Sequence, residues 1–401
     1  MAKPSIITGL DIGTSKIKVL VTNKNREGKL ESVSNFEENS EGVRRGTIVD
    51  VEKVSNILRN LFSKISGETD QKINQVFVNL NGVHLFSTFS HGLVSVSRAD
   101  QKISEEDIQR VLQAAQAINL PSNKEIFDAL PKEFIIDGEK GIKEPLDLQG
   151  VRLEAEVLAL GGFSPYLKNQ EKAVLDADLE ILDMVPSPIA SARAVLSEKQ
   201  KELGVCLLDI GAGTTGISVF EEGDLIHLAV LPIGSANITN DIAIGLKIDI
   251  DIAERIKIEY GSCLFKGKNI RHKIDIGEDT PLIFSQKFLI KIIEDRISEI
   301  FEEAKKELKK ISKEKLLPAG IVLTGGGTKL PKILELAREK FRLPAHLGKP
   351  KGISGLEENL SLSTVCGLVL FGADLEDKEK IFESSKGIGY KIKRLFKIFI
   401  P

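Results

Sequence analysis

The chain has 401 residues and a formal net charge of −3; five basic and no acidic residues lie from Lys386 onward, which leaves residues 1–385 at −8. An acidic body argues against a general nucleic-acid binder, and no run approaches the ~20 apolar residues of a membrane span. The length predicts roughly two to four domains or subdomains. Cys206, Cys263 and Cys366 are far apart and show neither zinc spacing nor a disulfide framework; Cys206 and Cys366 sit in apolar runs and are expected as buried thiols. The opening "MAKPSIITGLDIG" has no long apolar h-region or small-residue cleavage site, so no signal peptide is expected and the chain reads as cytoplasmic.

Residues 5–10 read as a buried strand, Ile17–Thr22 as its hairpin partner, and Leu30–Phe36 as a further strand after the turn "NKNREGK". A helix starts near Asp50, with Val54, Ile57, Leu58, Leu61 and Phe62 on one face. Residues 75–97 alternate as strands. Ser104 caps a helix with Asp107 in the capping-box position, and Ile108, Val111, Leu112, Ala115 and Ile118 form its apolar stripe. The stretch 120–162 is punctuated by Pro and Gly between short strands, so a small α+β unit of about 80 residues interrupts a larger domain. From 168 the pattern is helix, strand, helix. Two strands follow, "VCLLDIG" and "GISVFEEGDLIHLAVL", and 286–311 is a long amphipathic helix. "GIVLTGGG" is a buried strand entering a glycine turn. The charged stretch 374–386 has no clear core stripe and reads as a linker, partly helical.

Two segments carry most of the chemistry: "GLDIGTSKIKVLV" from Gly9 and "LLDIGAGTTGISV" from Leu207. Each is an apolar strand, Asp, Ile, Gly, small hydroxyl residues and a second strand. One copy alone is an ordinary hairpin; two copies predict related half-domains facing each other. A tight glycine turn leaves backbone N–H groups to meet an anion. Thr14, Ser15, Thr214 and Thr215 add hydroxyl donors, and Asp11 and Asp209 at the strand ends could hold a hydrated magnesium ion. In "VLTGGGTKLPKI", Gly325, Gly326 and Gly327 permit close backbone approach to a flat or charged ligand, although the Gly-Lys-Ser/Thr ending of a Walker loop is missing. The five histidines show no metal-ligand spacing, and no Ser-His-Asp arrangement is suggested.

Two such loops and a late glycine turn resemble the α/β actin, Hsp70 and sugar-kinase superfamily. "GVRRGTIVDVE", "LPIGSANITNDIAIGLKIDIDIAERIKIEYG" and the basic C-terminus narrow the resemblance to the FtsA family of actin-like bacterial cell-division proteins, over nearly the whole chain. The resemblance implies an actin-like, two-lobed fold with an FtsA-type inserted subdomain. The first lobe core would comprise 1–83 and 163–195, the insert 84–162, the second lobe core 196–235 and 312–373, and its smaller subdomain 236–311. A linker at 374–386 and a terminal helix at 387–401 would follow.

It also implies ATP and Mg2+ between the lobes. Asp11, Gly13, Thr14, Ser15 and Lys16 match the first phosphate loop; Asp209, Gly211, Gly213, Thr214 and Thr215 match the second. Gly325, Gly326, Gly327 and Thr328 match the nucleoside turn. Glu254 and Lys257 match positions that reach ribose and adenine in bacterial actins; a surface ion pair is the other reading. Where ATP-hydrolysing actins carry a Glu or Gln to orient water, this chain has Ser187, so at most slow hydrolysis is expected. The implied partners are other copies in a filament, the C-terminal peptide of FtsZ, an anionic membrane surface and later cell-division proteins, with no nucleic acid. The implied location is the cytoplasmic side of the inner membrane at the division site. Lys266, Lys268, Arg271, Lys287, Lys291 and Arg296 could meet an acidic peptide or form a solvated basic face. Two other classes remain open, a pilus-assembly actin-like ATPase and a small-molecule kinase of the same superfamily.

The end of the chain has a separate logic. On a helical wheel Ile388, Ile392, Leu395, Phe396, Phe399 and Ile400 share one face, and Lys391, Lys393, Arg394 and Lys397 lie opposite, with Tyr390 and the apolar exception Ile398. Such a helix is too short to span a bilayer but suits its interface plane; a helix packed on the body is the alternative.

Overall fold

The computed structural model describes residues 5–25, 28–69, 72–275, 281–313 and 315–383, with 378–383 as helical backbone only. The segment 387–401 lies outside the described residues. In chain order, β1 (Ser5–Ile12), β2 (Lys16–Lys24) and β3 (Leu30–Asn39) form a meander. A short hairpin follows, β4 (Val43–Arg44) and β5 (Thr47–Ile48), then α1 (Val51–Thr69) and β6 (Gln75–Leu80), which pairs parallel to β1. The insert contributes β7 (Phe86–Ser95), α2 (Glu105–Gln116), β8 (Lys124–Ile136), β9 (Glu139–Ile142) and β10 (Arg152–Phe163). Ser104 and Asp107 close the capping box of α2 as the sequence pattern requires. Ile108, Val111 and Leu112 of α2 pack on Leu153, Ala155 and Val157, so the insert has a small core of its own.

The chain returns through α3 (Ser164–Leu175), β11 (Glu180–Pro186), α4 (Ser187–Val195) and α5 (Glu198–Leu203). Then come β12 (Val205–Ile210), β13 (Thr215–Glu221) and β14 (Asp224–Leu231). The single strand expected at "GISVFEEGDLIHLAVL" is therefore two: Glu222 (φ 54°) and Gly223 (φ 82°) both take left-handed backbone, the demand of a two-residue hairpin turn. The smaller subdomain holds α6 (Ser235–Leu246), α7 (Ile250–Tyr260), β15 (Arg271–Ile274), β16 (Leu282–Ser285) and α8 (Gln286–Lys310). Last come β17 (Ile321–Thr324), α9 (Ile333–Phe341), β18 (Ala345–Leu347), β19 (Ile353–Ser354) and α10 (Ser363–Glu383).

Two large sheets result. One has the order β11-β6-β1-β2-β3-β19. The other runs β18-β17-β12-β13-β14-β7-β10-β8-β9, so the insert, covalently rooted in the first lobe, extends the sheet of the second. One register pair, Ala229 with Phe86, links β14 to β7. The reciprocal bonds of Ser87 with Leu228 and an ion pair of Lys143 with Asp224 reinforce it.

Helices α4 and α10 pack on each other in the main core, which gathers Ile189 and Ala190 of α4, Val365, Leu368 and Val369 of α10, and strand residues of both lobes such as Ile7, Phe77, Leu207 and Val322. At their crossing Gly367 lies against the backbone of Ala190. The stretch 353–373, expected in the second lobe, thus corrects to the first: β19 pairs with β3, and α10 packs on β1, β2 and β6. The helix also runs on to Glu383 through the charged stretch read as a linker. Arg193 holds Asp374 bidentately at 2.7 and 2.8 Å, and buried Lys24 bonds the Ala373 carbonyl at 3.3 Å and pairs with Asp377.

Candidate functional site: a cleft between two matched loops

The two DIG segments fold alike. In each hairpin the last register pair closes a four-residue loop, Ile12 with Ile17 and Ile210 with Thr215. In each the glycine N–H donates back to a carbonyl, Gly13 to Lys16 at 3.0 Å and Gly211 to Thr214 at 2.9 Å. The loops meet: a Cβ on Gly213 would stand 2.7 Å from Thr14 Cγ2. The first two amides of α6, Ser235 and Ala236, donate to the carbonyls of Gly211 and Ala212 at 2.8 Å each, which ties the second loop to a helix N-terminus. Gly325, at φ 90°, starts the glycine turn; a Cβ there would lie 2.4 Å from Asp209 Oδ1, so only glycine lets this turn close over the carboxylate.

Between these elements lies a cavity of about 520 Å³. Asp11, Gly13, Thr14, Ser15, Lys16, Asp209, Gly211, Thr214, Glu254, Lys257, Gly325, Gly326 and Gly327 all line it, as does Ser187. Three residues singled out from sequence do not. Gly213 sits behind the loop against Thr14. Thr215 is fully buried and donates to the Ile233 carbonyl at 2.8 Å, and Thr328 donates to the Gly325 carbonyl at 2.7 Å. Both hydroxyls are committed to the fold.

Glu254 and Lys257 form an ion pair, but not a surface one. Lys257 is buried, and its Nζ donates to Glu254 Oε2 (2.6 Å), Thr239 Oγ1 (2.8 Å) and the Ser235 carbonyl (3.3 Å). The glutamate side chain is 45% exposed, so a polar ligand can reach it.

Sequence reading missed several groups that hold the site together. Asn79, wholly buried at the end of β6, accepts from the Ile12 N–H at 2.8 Å. Its Nδ2 donates to Asp11 Oδ1 at 2.9 Å and to Ser187 Oγ at 3.0 Å. A polar residue inside the apolar run "QVFVNL" was the available signal, because a buried amide must find partners. Lys18 Nζ donates to the Ser361 carbonyl at 2.5 Å and stands 3.9 Å from Asp11 Oδ2. Thr364, Ser361 and Ser235 also line the cavity, and Ser191 of α4 bonds Asp209.

Burial pushes the Asp11 carboxyl up to about 6; Lys18 opposes this, while Asp209 and Glu37 add to it. Burial also raises Asp209, against hydrogen bonds from Ser191 and Thr364 and the charge of Lys18. Two desolvated carboxylates that repel each other fit a divalent cation brought with a phosphate ligand. Among the described residues no group of three or more His, Cys, Asp or Glu could hold a metal alone.

A carboxyl with a raised folded-state pKa binds its proton more tightly folded than unfolded. Its favourable contribution is full below pH ~4 and is lost as pH rises through 6. Above that, ionised Asp11 costs at most about 3 kcal/mol. Asp11→Asn keeps an oxygen for Asn79 and removes the charge. The ligand-free variant is therefore expected to be more stable than wild type at pH 7.5 by about 1–3 kcal/mol, with the difference shrinking toward pH 4. Urea unfolding at both pH values measures it; an unchanged or reversed difference contradicts the assignment.

The architecture has known counterparts. It matches the PilM-PilN type IV pilus biogenesis complex with a TM-score of 0.65 at 17% identity, covering 92% of this chain and 98% of that one. It matches MreB5 of Spiroplasma citri bound to ADP with a TM-score of 0.57 at 13% identity, covering 95% and 99%. Likeness at such identities concerns the fold alone, which is actin-like. The family model described as "Cell division protein FtsA" matches residues 206–367, and one described as "SHS2 domain inserted in FTSA" matches 82–160. The chain is 39% identical to the cell division protein FtsA of Pseudomonas aeruginosa, covering 92% of this chain and 89% of that protein. For the namesake of Borreliella burgdorferi the identity is 36%, covering 98% and 96%, and for that of Bacillus subtilis 34%, covering 92% and 84%. The chain belongs to the FtsA family of actin-like cell-division proteins. Its likeness to a pilus-biogenesis protein is one of fold.

Proposed function

We propose that the protein binds Mg2+–ATP in the cleft, assembles into filaments on the cytoplasmic face of the inner membrane at the division site, and there tethers the FtsZ ring. The observation that carries the nucleotide reading is the cavity itself, where two matched loops, a glycine turn and the Glu254–Lys257 pair converge. The loop amides and Lys18 suit phosphates, and Glu254 and Lys257 suit ribose and adenine. Asp11 and Asp209 would hold the hydrated magnesium ion, which neutralises phosphate charge. Ser187, held by Asn79, has no carboxylate with which to activate water, which supports a slow switch on polymer state. The relative MreB5 of Spiroplasma citri has been solved bound to ADP and to AMPPNP, which agrees with this reading.

For an acidic FtsZ peptide the smaller subdomain offers fewer free cations than its sequence suggests. Arg296 is held bidentately by Asp241 at 2.6 and 2.9 Å, Lys291 by Asp295 at 2.7 Å, and Lys266 pairs with Glu335. Lys268, Arg271 and Lys287 have no ion pair among the described residues and are the better candidates.

Membrane attachment rests on the pattern of 387–401; among the described residues no helix is long and apolar enough to cross a membrane. Each large apolar side chain contributes less than ~1.5–3 kcal/mol because burial at an interface is partial. Each basic residue near anionic lipid adds about 1 kcal/mol. One tail is a reversible anchor, and a filament carrying many gains by avidity. Truncation after Lys386 is expected to abolish co-sedimentation with anionic vesicles while ATP binding by titration persists. High salt should weaken, not abolish, vesicle binding by the intact protein. Full vesicle binding by the truncated protein would refute the tether, and failure of the intact protein to bind ATP would refute the nucleotide reading.

A further inference from the structure

Asp209 is held so that half of its carboxylate is already committed. Oδ2 accepts two hydroxyls, from Ser191 on α4 and from Thr364 on α10 at 3.1 Å, and those hydroxyls lie 2.9 Å from each other. Ser191 is fully buried and Thr364 nearly so. Oδ1 faces Gly325 at the lining of the cleft, and no hydrogen bond to it is formed among the described residues. Asp11 is arranged in the same way. Asn79 occupies Oδ1 at 2.9 Å, while Oδ2 stands 3.9 Å from Lys18 Nζ, beyond hydrogen-bond length. Each carboxylate thus presents one oxygen.

Cations differ in what they ask of such a pair. Mg2+ takes six ligands in a near-ideal octahedron, keeps several waters and is satisfied by one or two carboxylates with substrate phosphates. Ca2+ takes six to eight oxygens at longer range and often uses both oxygens of a carboxylate. Resting on the Mg2+–ATP reading, we propose that Ser191 and Thr364 are positioning residues: by saturating Oδ2 they fix Asp209 as a one-oxygen partner and set a preference for Mg2+–nucleotide over Ca2+–nucleotide. Neither hydroxyl touches the cation. They act by denying the carboxylate the rotation that a two-oxygen grip requires. Because they come from the two helices that cross in the main core, the constraint is as rigid as that core.

The test is titration of the full chain with ATP in excess Mg2+, in excess Ca2+ and in EDTA. It compares wild type, Ser191→Ala, Thr364→Val, the double variant and Thr364→Ser, each with a thermal melt to confirm folding. Wild type is expected to bind ATP at least about 10-fold more tightly with Mg2+ than with Ca2+; in the double variant this ratio should fall to within about 3-fold, and Thr364→Ser should retain it. The ratio cancels any general weakening that a merely structural role would cause. If Thr364→Val does not fold, Ser191→Ala alone decides, through a drop of about 3-fold in the ratio. A ratio unchanged in the folded variants, or near one in wild type, overturns the inference and leaves the nucleotide reading standing. Absence of ATP binding in all three conditions overturns both.

Discussion

Replacing Gly367 by alanine is expected to be the most damaging single-methyl change in this protein. Its Cβ would stand 1.7 Å from the carbonyl oxygen of Ala190 and 2.3 Å from the carbonyl carbon. Both are backbone atoms in the middle of α4, so no side chain can rotate away. The helices must separate, and the core shared by the two lobes opens with them. Overpacking a core commonly costs about 1–3 kcal/mol, and a backbone-on-backbone clash belongs at or above the upper end. A loss of at least about 3 kcal/mol in urea unfolding, or failure to accumulate as soluble protein, is the expected result. Gly67 provides the contrast: it is exposed on α1, and a methyl added there would meet nothing within 4 Å. Gly67→Ala should stabilise by about 0.5–1 kcal/mol. Similar behaviour of the two variants would show that the close crossing of α4 and α10 is not needed.

The second large effect is on ligand. Asp209→Ala is expected to weaken Mg2+–ATP binding by about 100-fold or more, and Ser187→Ala by less than about 3-fold. In the proposed reading Asp209 would offer the cation its uncommitted oxygen, whereas Ser187 would lie only near the attacking water. The fold should survive the loss of Asp209. Ser191 and Thr364 retain each other at 2.9 Å, and a buried carboxylate that burial disfavours is gone. Thermal melting of the ligand-free variant checks this, and calorimetric titration gives the affinity. Wild-type affinity in Asp209→Ala would remove the two-loop site from consideration.

Local pattern revealed the loops because their chemistry is local: an apolar strand, a carboxylate at its end, a glycine turn and hydroxyls, all within a dozen residues. The α1 face, the capping box of α2 and α8 were legible for the same reason. What escaped depends on partners distant in sequence. Asn79 gains its meaning from Asp11 and Ser187, which flank it at great separation. The stretch from Asp374 read as a linker because it is charged and has no clear core stripe, and the partners of its acids are distant in sequence. Those partners are Arg193 and Lys24, the latter 353 positions from Asp377. Thr215 and Thr328 erred the other way: a hydroxyl in the right motif can still be turned inward by a nearby carbonyl. The split of β13 from β14 was readable in principle, since Glu222-Gly223 is a turn pair inside an apolar run.

The joint between insert and second lobe has a mechanical consequence. The insert's covalent roots are in the first lobe, yet its sheet continues that of the second through the Ala229–Phe86 pair, the Ser87–Leu228 bonds and the Lys143–Asp224 ion pair, and its Leu130, Leu158 and Leu160 share the main core with Leu225, Leu228 and Val230. A body anchored in one jaw and pinned to the other behaves as a torsion gauge. Were the lobes to turn relative to each other, the two anchorages would move by different amounts, and the insert would have to turn or strain that joint. The angle of the insert would then report the opening of the cleft at a distance.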